Sequence, residues 1–418
     1  TTHQLSETSM PKDNDKNLLH LTIAALSSVI ISVTLLLLHP KTKKKFKTVK
    51  KRTLTELVRP NILSLAPYRC ARDDFDKGML LDANENTLGP AISDSLLNLD
   101  ASLLELNRYP DPYQLKLKGH LAKFRNVKEE QIFVGVGSDE AIDLLIRIFC
   151  VPDRDSILIT PPTYGMYKIC AKTNGVAIQT SILNPDFSLN LNSVKETIDS
   201  TTKVIFLCSP GNPTAVCIPL QTIISLHDSF DGIIVVDEAY IDFAPIPSAC
   251  TLLNSLDRLV VTQTLSKAFG LAGIRLGFAC SSSFIISLMN KVKAPYNVNK
   301  LSSEVACRGF SDLSKYKKNV GRILSQRDKL METFRKERYV KRVLKSQANF
   351  FLLEVENAHT IYLHMANEGV VVRFRGNEFH CKNCLRITVG SEEENEKLLA
   401  KVRETVGLIE TGKIPLRE

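Results

Sequence analysis

The residues best equipped for chemistry are a lysine among hydroxyls and a carboxylate that ends an apolar run. Within residues 258–277, Lys267 follows Thr264 and Ser266 and precedes a glycine-punctuated turn that ends at Arg275. Such a lysine is either an ordinary surface residue of a loop or an amine whose pKa a pocket lowers until it can attack a carbonyl. In the second reading Thr264, Ser266 and Arg275 hold an anionic group beside it. Within residues 232–240 a run of β-branched residues precedes Asp237. A carboxylate there is either a helix cap or a ligand contact at a strand's carboxyl end, where open α/β sheets gather their ligands.

A lysine that condenses with an aldehyde and a carboxylate that pairs with a pyridinium nitrogen are the protein parts that pyridoxal 5′-phosphate requires. The carboxylate keeps the ring nitrogen protonated, and the protonated ring accepts the electrons of a substrate carbanion. The pair of stretches is far more informative than either alone.

Strands must deliver these groups. Residues 233–236 and 259–261 are apolar runs of the kind buried on both faces of a sheet. Residues 132–142 read as a strand, a Gly-x-Gly turn and a helix start capped by Ser138, whose exposed N–H groups and dipole make an anion site. With Ser266 and Arg275 that turn becomes a cradle for a phosphate. A strand at 157–160 leads through Pro161 and Pro162 to Tyr164, whose ring can lie on a pyridine face. Another at 204–209 delivers Asn212, whose amide can donate to a ring oxygen, as can the hydroxyl of Tyr240. Strands alternating with helical stretches over residues 130–280 predict an α/β fold with a mostly parallel sheet flanked by helices. A long charged helical region from Lys291 to Tyr339 should link it to a smaller α+β C-terminal domain with strands at 348–354, 369–373 and 385–389. The predicted division is an N-terminal extension at 1–57, an arm and part of the small domain at 58–99, a large cofactor-binding domain at 100–320 and the small domain at 321–412.

The formal charge of +9 points away from nucleic acid, because residues 1–60 hold eleven Lys and Arg against four Asp and Glu and the rest is nearly neutral. Ten cysteines without a repeating spacing favour reduced thiols in a cytosol-like compartment. His380-Cys-Lys-Asn-Cys384 lacks the fourth ligand of a structural zinc site and reads as a loop, so no metal is expected. Residues 18–38 carry no Asp, Glu, Lys or Arg and are long enough to span a bilayer as a helix. The basic run at 41–52 would then keep the enzyme that follows in the cytoplasm. That segment is either a single-pass anchor or irrelevant to the working enzyme.

Eight phrases carry a resemblance: Leu81-Asp-Ala-Asn-Glu-Asn86, Asn107-Arg-Tyr-Pro-Asp111, Gly135-Val-Gly-Ser-Asp-Glu140, Pro161-Pro-Thr-Tyr-Gly-Met-Tyr167, Ser209-Pro-Gly-Asn-Pro-Thr214, Val236-Asp-Glu-Ala-Tyr240, Thr264-Leu-Ser-Lys267 and Cys384-Leu-Arg-Ile-Thr-Val-Gly390. In this order they resemble the fold-type I pyridoxal-phosphate aminotransferases, and within them the histidinol-phosphate aminotransferases, from about Val58 to about Val406. The resemblance implies the fold-type I architecture and reversible transamination of L-histidinol phosphate with 2-oxoglutarate, a step of L-histidine biosynthesis. It implies that Lys267, Asp237 and Tyr240 are catalytic and that Asn212, Tyr164, Ser138, Asp139, Glu140, Thr264, Ser266 and Arg275 also hold pyridoxal phosphate. It assigns the substrate to Arg386, Arg373, Asn84, Glu85 and, across a homodimer interface, Tyr109. The chain departs from the family at Ala215, where glycine is usual. Two other readings compete: an aromatic amino-acid aminotransferase of the same fold, and a membrane-tethered homologue that keeps the fold without catalysis. Retention of Lys267, Asp237, Tyr240, Asn212 and Arg275 together argues against the second.

Overall fold

The computed structural model describes residues 24–29, 53–66, 71–93 and 105–416. Of the apolar run at 18–38 only 24–29, a piece of helix, lie among them, and the basic run at 41–52 lies outside them. No helix among the described residues is long and apolar enough to cross a membrane. The chain divides into two compact units, residues 1–58 and 59–418. In the first, Leu54–Leu57 make one helical turn. Every strand among the described residues lies in the second.

A two-residue strand, β1 (Met79–Leu80), enters the loop 81–89. A seven-stranded sheet follows, built from β2 (Ile132–Gly135), β3 (Ser156–Ile159), β4 (Ala177–Thr180), β5 (Thr202–Cys208), β6 (Ile233–Asp237), β7 (Leu259–Thr264) and β8 (Gly277–Ser281). Its order is β2-β8-β7-β6-β5-β3-β4, and only β8 runs against its neighbours. Consecutive residues of the central strands go to opposite cores. Ile234 and Val236 join one with Leu207 and Val261, while Val235 joins the other with Phe206 and Val260. A continuous apolar run is what such a doubly covered strand needs. The first core is closed by helices Leu115–Arg125, Leu220–His227 and Lys300–Ser311, the second by Gly137–Phe149, Met166–Asn174 and Ser283–Val292.

The remaining strands are β9 (Val340–Val343), β10 (Phe350–Val355), β11 (Val370–Val371), β12 (Arg373–Phe374) and β13 (Cys384–Thr388). Four form an antiparallel sheet in the order β12-β13-β10-β9, and β11 pairs in parallel with β1. Their core draws Phe334 from helix Ser314–Arg335, Met365 from Ala358–Asn367 and Val402 from Glu392–Glu410. The last of these helices opens with a capping box in which Ser391 and Glu394 satisfy each other's backbone N–H groups.

Two expectations change. The helical region predicted from Lys291 to Tyr339 is three helices, Ser283–Val292, Lys300–Ser311 and Ser314–Arg335. Pro295 disfavours helix at the residue before it, and Asn299 restarts the chain by accepting from Ser302 N at 2.8 Å. The strand predicted at 369–373 splits between β11 and β12, which serve different sheets.

The site follows from the register. Cys208 stands beside Asp237, Asp237 beside Thr262, and Gly277 between Thr264 and Gly135. The carboxyl ends of β5, β6 and β7 therefore share one edge with the start of β8.

Candidate active site

A cavity of about 360 Å³ opens at that edge. Of the predicted residues, Lys267, Asp237, Tyr240, Asn212, Tyr164, Ser138, Asp139, Thr264, Ser266, Arg275, Arg386, Arg373, Asn84 and Glu85 line it. Glu140 and Tyr109 do not.

Lys267 leaves the loop after β7 half-buried, and its Nζ donates to the Ala83 carbonyl at 2.8 Å. Burial strips water from the ammonium, and the cations of Arg386 and Arg275 add to the cost. Glu85 and Asp139 only partly offset this, so the pKa falls to about 8. Asp237 is 2% exposed at the end of β6. Tyr167 donates to its Oδ2 at 2.6 Å, while Oδ1 is buried with no hydrogen-bond partner of normal geometry. Burial pushes this carboxyl up to about 6, against the pull of the Tyr167 hydroxyl.

Asn84 donates from Nδ2 to the Tyr240 hydroxyl at 3.0 Å. Burial raises that phenol to about 12, so it remains a donor across the physiological range. Asn212 accepts from Arg386 Nη1 at 2.6 Å, which leaves the NH₂ end of its amide for a ligand. Arg386, buried on β13, also donates to the Asp82 carbonyl. Two neutral oxygens thus help to aim the guanidinium. Arg373 faces Arg386 across the β12–β13 pair.

At the other end, helix Gly137–Phe149 begins directly after β2. Its N-cap is Val136 and Ser138 lies inside the first turn, so Ser138 is not the cap expected from the sequence. Glu140 instead fastens the turn, accepting from Val136 N at 2.6 Å and from Asn297 Nδ2 at 2.8 Å. A Cβ on Gly277 would lie 2.4 Å from Ser138 N, so only glycine lets β8 pass so close under the helix start. Thr264 donates to Ser266 Oγ at 2.9 Å. Arg275, in the left-handed region with φ +51°, brings Nη2 to 3.7 Å from Asp139, which also accepts from the Tyr164 hydroxyl at 3.1 Å. A helix start, two hydroxyls and a half-exposed arginine line this end of the cavity, groups of the kind that can hold an anion.

Glu85 lines the cavity with its carboxylate paired to Arg72, which also approaches Asp82 at 3.5 Å. Tyr109 is 78% exposed and stacks on Tyr296 with centroids 4.5 Å apart. Cys381 and Cys384 are free buried thiols in a turn. Sequence reasoning missed Tyr167, Arg375 and Glu378. The last two line the cavity 3.5 Å apart. Arg375 lies two residues beyond Arg373 in strand-like spacing, a signal that points to the same side of the chain. Tyr167 lies three residues beyond Tyr164, just inside the helix that begins at Met166.

The chain belongs to the class I and II aminotransferases, whose sequence profile matches residues 76–402. Within that family it groups with the histidinol-phosphate aminotransferases. It is 46% identical to the one from Schizosaccharomyces pombe over 378 residues, 84% of this chain and 97% of that protein. It is 41% identical to that of Flavobacterium johnsoniae over 355 residues, 84% of this chain and 98% of that protein. The crystal structure of the histidinol-phosphate aminotransferase from Clostridium acetobutylicum superposes with a TM-score of 0.72 at 26% identity, covering 78% of this chain and 98% of that one.

Proposed function

We propose that this chain is a pyridoxal-phosphate-dependent histidinol-phosphate aminotransferase. It interconverts L-histidinol phosphate and 2-oxoglutarate with imidazole-acetol phosphate and L-glutamate, a step of L-histidine biosynthesis. The observation that carries the reading is that an amine of lowered pKa and a buried carboxylate with one unsatisfied oxygen line the same cavity as a helix-start anion site. The cofactor fits these residues. Asp237 Oδ1 needs the donor that a protonated ring nitrogen provides, and the close approach at Gly277 leaves a phosphate the N–H groups beside Ser138.

Pyridoxal phosphate, when bound, supplies an aldehyde for amino groups and a ring that withdraws electrons from the substrate carbon. Lys267 would hold the aldehyde in the resting enzyme and then carry the proton to and from the substrate Cα. Asp237 favours the protonated ring nitrogen. Tyr164 would cover one ring face, and Asn212 and Tyr240 would donate to the ring oxygen. Ser138, Thr264, Ser266 and Arg275 take the phosphate, Asp139 orients Tyr164 and Arg275, and Glu140 secures the turn beneath them. Arg386 grips the carboxylate of glutamate bidentately, and Arg373 adds the cation that a phosphate ester needs. Asn84 and Glu85 shape the loop over the substrate. Residues 100–320 form the cofactor-holding domain and 321–412 the smaller one that brings Arg373 and Arg386. The working unit is a cytoplasmic homodimer in which Tyr109 reaches the partner's site.

Steady-state kinetics with histidinol phosphate against phenylalanine test the substrate. A clear preference for the phosphate ester is expected, and equal efficiency would sink the assignment. Mixing Tyr109→Ala with Lys267→Ala tests the shared site, because each mixed dimer regains one intact site. No regained activity would return Tyr109 to a surface role.

A further inference from the structure

The hydroxyl of Tyr167 is buried, aimed at the site and used by no step above. Tyr167 stands in the first turn of helix Met166–Asn174. Its ring is stacked on Phe206 of β5 at 4.9 Å and meets the Tyr164 ring edge to face at 5.6 Å. A ring held on both sides in a packed core has one position. Its hydroxyl therefore has a fixed place, 2.6 Å from Asp237 Oδ2. The terminal torsion of an aspartate is broad, so its backbone alone does not decide which way the carboxylate plane turns. The charge-assisted bond to Oδ2 does most to decide it, beside weaker contacts from the Ala239 N–H and the Thr262 hydroxyl, and Oδ1 is left without a hydrogen-bond partner of normal geometry.

We propose that Tyr167 is a positioning residue: it fixes the Asp237 carboxylate so that Oδ1 meets the ring nitrogen of the bound cofactor, and it braces Tyr164 against the ring face. This rests on the reading of Asp237 as the ring's partner. Burial and the neighbouring Asp237 hold the Tyr167 phenol well above its ordinary pKa, so it keeps the proton that it donates to the carboxylate. Its donated bond also opposes the burial that lifts Asp237. Without it the carboxyl moves further toward the neutral form, which no longer favours a protonated ring.

The test strips the cofactor from the full chain and measures by equilibrium dialysis the binding of pyridoxal phosphate and of its analogue with C–H in place of the ring nitrogen. Wild type should hold pyridoxal phosphate more tightly than the analogue. Tyr167→Phe, which keeps the ring, should weaken pyridoxal phosphate roughly tenfold or more and leave the analogue nearly unchanged. In an Asp237→Asn background, Tyr167→Phe should add nothing, and thermal melting of each variant separates a loss of binding from a loss of folding. Equal losses for both compounds, or an undiminished loss in the Asp237→Asn background, overturn the proposal and leave Tyr167 as packing. A wild type that binds both compounds equally removes Asp237 from its role and the proposal with it.

Discussion

Arg386 Nη1 lies 2.6 Å from Asn212 Oδ1, and that bond ties the four-stranded sheet to the loop after β5 of the seven-stranded one. The group proposed for the substrate anion and a group proposed for the cofactor ring thus hold each other in place. Arg386→Lys keeps the charge and loses the fork that reaches both Asn212 and the Asp82 carbonyl. The KM for L-glutamate should rise by about tenfold or more, equivalent to ~1.4 kcal/mol, with cofactor affinity little changed. The glutamate half-reaction measures this; an unaltered KM would take the substrate carboxylate away from Arg386.

Lys267 sets a pH dependence. With its pKa near 8, a neutral fraction exists at pH 7 that an ordinary lysine at about 10.4 lacks. Capture of pyridoxal phosphate by the cofactor-free enzyme should speed up with pH and level off above about 8. Arg386→Gln removes a cation that depresses Lys267 and should move that inflection upward. Lys267→Ala should leave no cofactor that borohydride can fix to the protein. Stability follows with a definite sign. The folded pKa lies below the unfolded one, so the unfolded chain binds more protons between them. The cofactor-free protein should gain stability as pH rises from about 8 toward 10, and below about 8 the cost of the buried ammonium is fully present.

Gly277 is a steric requirement. In Gly277→Ala the new methyl would stand 2.4 Å from Ser138 N, and backbone must yield. A displaced helix start should weaken pyridoxal phosphate binding at least tenfold and cost about 1–3 kcal/mol of stability. Dialysis and thermal melting report the two effects separately. A neutral outcome in both would mean that the helix start does not hold the phosphate.

Ala215 sits at φ +58° and is fully buried. Left-handed backbone costs a residue with a Cβ roughly 1–2 kcal/mol, which Ala215→Gly would relieve. The lost buried methyl, about 0.8 kcal/mol, and the looser unfolded chain offset most of that gain. Ala215→Gly should therefore shift stability by less than about 1 kcal/mol, while the β-branched Ala215→Val should destabilise clearly more. Melting temperatures of the three proteins decide it.

The sequence foretold best what depends on local pattern. The runs 233–236 and 259–261 read as doubly covered strands, which placed Asp237 at the carboxyl end of one and Lys267 just beyond the other. What escaped depends on partners distant in the chain. Tyr167 went without a role because its partner, Asp237, lies on β6. Glu85, assigned to the substrate by resemblance, is paired with Arg72, a partner that nothing local announced. Ser138 looked like a cap because Ser is a good one, yet the left-handed Gly137 (φ +73°) starts the helix a residue earlier. β8 opens on Gly277, a poor strand former, and its pairing with β2 and β7 overrides that preference.

The reversed direction of β8 means that the amine of Lys267 and the cation of Arg275 ride on one hairpin, pinned at its base where Thr264 faces Gly277. Circular permutants expose the consequence. New termini cut between those two residues would leave every strand of the sheet intact and still let the reactive end and the anchoring end of the ligand's cradle drift apart together.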